Sequence, residues 1–190
     1  MNSLHRMQLD EALKPLFSSL PTKGNVLDIG GGENNPYKSW TSAKTYWVLD
    51  SNPVHHPDIC GDVEHMPIES ETCDIVIATE LLEHCQNPAI ALREIHRVLK
   101  KGGYLIGSVP FLYQYHGNKS LSDYARFTHE GIEKLLQPFL KKEIISFGSS
   151  FTLFWTLIGG AFRLAKVLNP LLKNIRIGKT YSGVVFFAQK

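Results

Sequence analysis

Three short apolar runs in the first third of the chain each carry an aspartate at or near their end. They are Val26-Leu-Asp28-Ile-Gly-Gly-Gly32, Tyr46-Trp-Val-Leu-Asp50 and Ile59-Cys-Gly-Asp62. Apolar runs of this length read as strands buried on both faces, which is the signature of a parallel sheet. Ligands of open parallel sheets bind beyond the carboxyl ends of the strands. Acids at three successive strand ends therefore line one crevice, suited to a ligand with hydroxyls and amines and hostile to phosphates. The glycine run lets the backbone turn sharply and approach that ligand without side-chain obstruction.

The rest of the chain keeps the same alternation. Leu9, Leu13, Leu16, Phe17 and Leu20 fall at helical spacing and predict a helix over residues 4–20. Strands are expected at 26–29, 45–50, 59–62, 75–79, 104–109, 143–147 and 184–188. Asn87 caps a helix with Pro88 in its first turn, Leu92, Ile95, Val98 and Leu99 form its buried stripe, and Gly102 ends it. Thr128 caps another helix running to about Leu136. Strands alternating with helices give a parallel α/β sheet. A length of 190 residues suits a single domain, 1–190.

Later segments carry a resemblance. Asp62-Val-Glu-His-Met-Pro-Ile68, Cys73-Asp-Ile-Val-Ile-Ala-Thr-Glu-Leu-Leu-Glu-His84, Asn87-Pro88 and Arg93-Glu-Ile-His-Arg-Val-Leu-Lys-Lys-Gly-Gly103 follow one another in an order and spacing similar to class I S-adenosylmethionine-dependent methyltransferases. The resemblance runs from about Val26 to Gln137. It implies a Rossmann-like sheet of seven strands with the last antiparallel, helices on both faces, and S-adenosylmethionine as cofactor. The chain departs from that family between its last two strands. A hairpin is usual there, whereas residues 151–179 form an apolar, basic segment of helical composition.

The resemblance also suggests roles. Asp28 with Gly30, Gly31 and Gly32 would hold the methionine end. A dinucleotide site is disfavoured, because Asn35 stands where a third glycine would open a phosphate-binding helix. Asp50 would accept both hydroxyls of the ribose, with Ser51 beside it. Asp62 and the Val63 N–H would meet the adenine, and Thr79 and Glu80 would stand at the crevice mouth. The stretch Pro110-Phe-Leu-Tyr-Gln-Tyr-His116, followed by Asp123-Tyr-Ala-Arg126-Phe-Thr128, resembles methyltransferases found among glycan and surface-polysaccharide biosynthesis proteins. Tyr113, Tyr115, Tyr124 and Arg126 are candidates to bind the acceptor. A hydroxyl acceptor needs a general base, for which His116 is the first candidate, followed by Asp123 and His84. The competing reading of Asp123 and Arg126 is an ion pair that pins the loop.

Cys60, Cys73 and Cys85 have no metal-type spacing, so reduced thiols and no metal are expected. No basic-then-apolar leader opens the sequence, and a cytoplasmic protein is expected. From Ile144 onward there are six cations and no acid, which leaves the remainder at −4 within a net charge of +2. A basic, apolar end of this kind suits the inner face of an anionic membrane or a homodimer contact. Alternatively, it would anchor a non-catalytic scaffold there. The basic residues lie among apolar ones rather than in a polar groove, and no Asn/Asp-Pro-Pro-aromatic motif follows the fourth strand, so nucleic acid is not expected.

Overall fold

The computed structural model describes residues 3–20, 24–32, 36–157, 171–172, 178 and 180–190. Its strands are β1 (Asn25–Ile29), β2 (Thr45–Asp50), β3 (Ile59–Cys60), β4 (Cys73–Thr79), β5 (Leu99–Pro110), β6 (Lys141–Phe147) and β7 (Gly183–Gln189). They form one seven-stranded sheet in the order β3-β2-β1-β4-β5-β7-β6. The pairs among β1 to β5 are parallel, and β7 runs antiparallel to both β5 and β6. The helices are α1 (Leu4–Ser18), α2 (Pro88–Val98), α3 (His129–Leu135) and α4 (Ser150–Leu157).

Alternation along the strands sorts the core into two faces. Val26, Ile75, Ile77, Ile106 and Val185 pack under Leu9, Leu13 and Leu16 of α1. Leu27, Ile29, Val76, Leu105 and Phe186 pack under Leu92 and Ile95 of α2 and Ile132 of α3. Leu9 and Leu13 are fully buried, so each contributes about 1.5–3 kcal/mol. Helix α1 starts where Ser3 accepts a hydrogen bond from the Arg6 N–H at 3.1 Å. Helix α2 starts where the Asn87 side chain accepts from the Ile90 N–H at 3.3 Å, with Pro88 in its first turn.

Several boundaries differ from the sequence expectation. Helix α1 ends at Ser18 rather than at residue 20. Strand β3 stops at Cys60, and Asp62 instead caps a short 3-10 turn, Val63–His65. Leu99 belongs to β5, not to the helix before it, because it pairs with Cys73 across the sheet. Gly102 is therefore not a helix stop. It lies within β5 at φ 77°, where the register against β4 shifts, a conformation glycine takes readily. Strands β6 and β7 pair residue for residue despite the long segment between them. Most of that segment, including 158–170 and 173–177, lies outside the described residues.

Gly107 is required by sheet packing. It pairs with Ala78 on one side and Phe186 on the other. A Cβ there would overlap the Phe186 ring and come within 2.7 Å of the Ala78 carbonyl oxygen.

Candidate functional site

At the carboxyl ends of β1, β2, β3 and β4 lies a crevice of about 590 Å³, within the usual range for small-molecule sites. Gly30, Gly32, Asp50, Asp62, Glu80 and Tyr124 are among its walls. Gly30 and Gly32 take φ values of 72° and 57°; a Cβ at Gly30 would lie 3.4 Å from Leu81 Cδ1, and one at Gly32 would meet nothing within 4 Å among the described residues. Ser51, Val63 and His84 also line the crevice.

Asp50, the last residue of β2, is held from two sides. Its Oδ1 accepts from the Asn52 N–H at 2.8 Å, and its Oδ2 stands 2.9 Å from His55 Nδ1. A carboxylate has about four lone-pair sites, so this one is oriented with capacity left for two hydroxyls. The Oδ1 of Asp62 accepts from the Glu64 N–H at 2.9 Å.

Asp28 is placed differently from the expectation of a strand-end acid on the crevice wall. It lies inside β1 with the parity of Val26, on the α1 face, and is 1% exposed. The Tyr46 hydroxyl donates to its Oδ2 at 2.6 Å, and its Oδ1 has no hydrogen-bond partner among the described residues. Burial raises its pKa to about 6, against the lowering effects of Tyr46 and Arg6. Arg6 in turn donates to the Tyr37 hydroxyl at 2.7 Å. Thr79 hydrogen-bonds Tyr37 as well, and neither Thr79 nor Gly31 is on the crevice wall.

Glu80 follows β4 at φ 50°, a conformation that favours glycine. Its N–H donates to the Ser108 carbonyl at 2.9 Å, and the Ser108 hydroxyl donates to its Oε1 at 2.9 Å. His5 of α1 meets Oε2 at 3.1 Å. Burial opposes charge on Glu80, but the His5 and Ser108 hydrogen bonds and nearby Arg6 hold its pKa below the ordinary value. Backbone strain supported by a hydrogen-bond network is common where a site must be held in place.

The loop after β5 folds against the same corner. Arg126 grips both oxygens of Asp123 and also donates to the carbonyls of Ala125 at 2.8 Å and Gln114 at 3.1 Å. Its guanidinium thus makes the ion pair with Asp123 and ties the loop together. The Asp123 side chain is fully buried. The Arg126 hydrogen bonds hold its carboxyl well below the usual range despite burial, so it is a poor proton acceptor rather than a general base. Its Oδ2 also accepts from the His116 N–H at 3.0 Å. His116 Nε2 stands 3.2 Å from His84 Nε2, which links the two remaining base candidates. Tyr113 packs its ring 4.4 Å from His5 and 5.5 Å from His116. Tyr124, 56% exposed, is at the crevice, while Tyr115, 73% exposed, folds over Gly117 away from it.

Two residues escaped the sequence reading. His5 shares the helical stripe of Leu9 and Leu13, and a histidine on an apolar face is a recognisable signal. Glu83 is completely buried, and neither of its carboxylate oxygens has a hydrogen-bond partner among the described residues. Burial and the nearby Glu80 charge raise its pKa well above the ordinary value.

Strand order, a glycine turn after β1 and an acid at the end of β2 together define a class I S-adenosylmethionine-dependent methyltransferase fold. Residues 27–107 match the family model described as a methyltransferase domain. A malonyl-[acyl-carrier protein] O-methyltransferase of a Marinomonas species is 34% identical over 50 residues, 26% of this chain and 18% of that protein. The 2-methoxy-6-polyprenyl-1,4-benzoquinol methylase of Caenorhabditis elegans is 32% identical over 96 residues, 50% of this chain and 32% of that protein. The chain thus matches a third or less of the length of these curated relatives. Among solved structures, an S-adenosylmethionine-dependent methyltransferase from Mesorhizobium loti superposes with a TM-score of 0.65 at 13% identity, covering 94% of this chain and 98% of that one. Phosphoethanolamine N-methyltransferase 2 of Haemonchus contortus, in complex with S-adenosyl-L-methionine, gives 0.63 at 17% identity, covering 95% of this chain and 51% of that one.

Proposed function

We propose that the chain binds S-adenosylmethionine in the crevice and transfers its methyl group to an oxygen or nitrogen nucleophile of a small-molecule or glycan acceptor. The observation that carries this reading is the pairing of the Gly30–Gly32 turn with the oriented Asp50 carboxylate on one crevice wall. When bound, the cofactor supplies an electrophilic methyl on a sulfonium. Asp50 accepts the ribose hydroxyls, and Asp62 and Val63 flank the base. Asp28, with one buried oxygen that has no hydrogen-bond partner among the described residues, attracts the ammonium through the glycine turn. The loop over residues 110–128 covers the acceptor, with Tyr124 at the crevice and Tyr113 behind it. The chain mainly aligns the reactants and excludes water. His84, on the crevice wall, and His116, 3.2 Å from it, are the candidates to take a proton from an acceptor hydroxyl. The basic segment 151–179 brings this site to an anionic membrane surface where a lipid-linked acceptor would lie.

Calorimetry with S-adenosylhomocysteine tests the cofactor half of this reading. The wild type should bind, and Asp50→Ala should weaken binding by about 1.5–3 kcal/mol, the value of hydrogen bonds to a charged group. Absence of binding by the wild type, or equal affinity in the variant, rejects it.

A further inference from the structure

The corner formed by Glu83, His84 and His116 has a chemistry that methyl transfer does not require. One ligand atom from each of these residues lies within 4.8 Å of the others. His84 Nδ1 is hydrogen-bonded to the Ser122 carbonyl oxygen. His116 Nδ1 faces the Gln114 carbonyl oxygen at 3.3 Å and Asp123 Oδ2 at 3.4 Å. These acceptors place the protons on Nδ1 of both rings. Two Nε2 lone pairs then face each other at 3.2 Å. Glu83 Oε1 stands 3.8 Å from one of these nitrogens and 3.9 Å from the other. Two facing lone pairs repel unless something positive lies between them, and the buried Glu83 carboxyl beside them has no hydrogen-bond partner among the described residues.

We propose that Glu83, His84 and His116 bind a first-row divalent cation, with Zn²⁺ and Co²⁺ as the suitable class. Two nitrogens on one tetrahedral ion, each at about 2.0–2.1 Å, stand about 3.3–3.4 Å apart. The observed spacing of 3.2 Å is close to that value. The donor set of two imidazoles and one carboxylate suits borderline divalent ions and not Ca²⁺ or Mg²⁺. The outer contacts are those of a metal site: ligating histidines donate their other N–H to a carbonyl or carboxylate, as His84 does to the Ser122 carbonyl and His116 to the Gln114 carbonyl. Asp123, oriented by Arg126, accepts from the His116 backbone N–H at 3.0 Å and is a positioning residue. His84 also lines the crevice, so the ion sits at its edge with positions left for an acceptor oxygen. That last use rests on the methyl-transfer reading, while the metal site itself does not.

The chain, stripped of metal with a chelator, is titrated with Co²⁺ and followed by its ligand-field absorption, then with Zn²⁺ by calorimetry. One ion per chain is expected. His116→Ala and Glu83→Gln should each lower the affinity by at least about 10-fold, since even outer-contact losses cost that much. The His116 side chain is 30% exposed, so its variant carries the test if Glu83→Gln does not fold. Co²⁺ uptake needs no cofactor, so its absence and a failure to bind S-adenosylhomocysteine are separate results. No saturable uptake by the wild type, or equal uptake by the wild type and His116→Ala, overturns the proposal and leaves a proton shared between the two imidazoles.

Discussion

Asp28 shows how much one buried carboxyl can shape the pH response of a domain. Its folded pKa of about 6 lies above the ordinary 3.8 because burial penalises the charge. The folded state therefore holds the proton more tightly than the unfolded chain. This contribution to stability is fully present below pH 3.8 and is lost as pH rises through about 6. Its size is about 3 kcal/mol. Asp28→Asn keeps an acceptor for the Tyr46 hydroxyl and removes the titration. Urea unfolding at pH 4 and pH 7 should show the variant gaining on the wild type by about 2.4 kcal/mol across that interval, since part of the effect is already lost at pH 4. Parallel profiles would mean that the Asp28 charge is better compensated than its surroundings indicate. The variant should also weaken S-adenosylhomocysteine, which would identify the buried charge as a cost borne for the ligand. The acid itself was legible in the sequence, but its direction was not. A strand buried on both faces shows no polar alternation, so nothing in Val26-Leu-Asp-Ile reveals which face Asp28 takes. Only the register, which places it with Val26 opposite α1, decides that.

At the scale of elements, β2 and β4 were legible because Tyr46-Trp-Val-Leu and Ile75-Val-Ile-Ala are continuous apolar runs, and α2 because Asn87-Pro88 and the stripe of Leu92, Ile95 and Val98 agree. The junction of α2 with β5 was not legible. Leu99 satisfies the helical period and the sheet equally well, and pairing with Cys73 decides in favour of the strand. The loop after β5 showed its chemistry in Tyr, His, Asp and Arg, but not which of them bind each other. Sheet packing at Gly107 yields a sharp prediction. Gly107→Ala drives a methyl into the Phe186 ring in the middle of the β4–β5–β7 pairing, and overpacking of this kind costs about 1–3 kcal/mol, occasionally more. Phe186→Leu would leave room for that methyl. Thermal unfolding should show the double variant less destabilised than the sum of the two single changes. Strict additivity would mean that the backbone, not the ring, resists the methyl.

Across the whole molecule, charge is divided unequally. Of the six cations after Ile144, Lys190 is committed to the fold, its Nζ donating to the Leu99 carbonyl at 2.6 Å. Arg163, Lys166, Lys173, Arg176 and Lys179 lie outside the described residues. Among the described residues, no helix is long and apolar enough to cross a membrane. Sedimentation with anionic vesicles should carry the protein down at low salt and release it as salt rises, each basic residue near the surface contributing about 1 kcal/mol. Replacing 151–179 with a short turn should abolish this. Protein left in the supernatant at low salt, with the replacement turning a dimer into a monomer, would assign the segment to self-association.

The position of β7 between β5 and β6 also sets a timetable for synthesis. Among the described residues β6 pairs with β7 alone, and residues 148–182 must be translated before β7 begins. At 5–20 residues per second, β6 waits about 2–7 seconds on the ribosome without its partner. An unpaired strand invites pairing with a neighbouring nascent chain. The Lys141-Lys142-Glu143 start of β6, exposed along its length, keeps the waiting strand in water and repels a second copy in parallel register. The same three charges remain on the outer edge of the finished sheet, where they guard against the same error for the life of the protein.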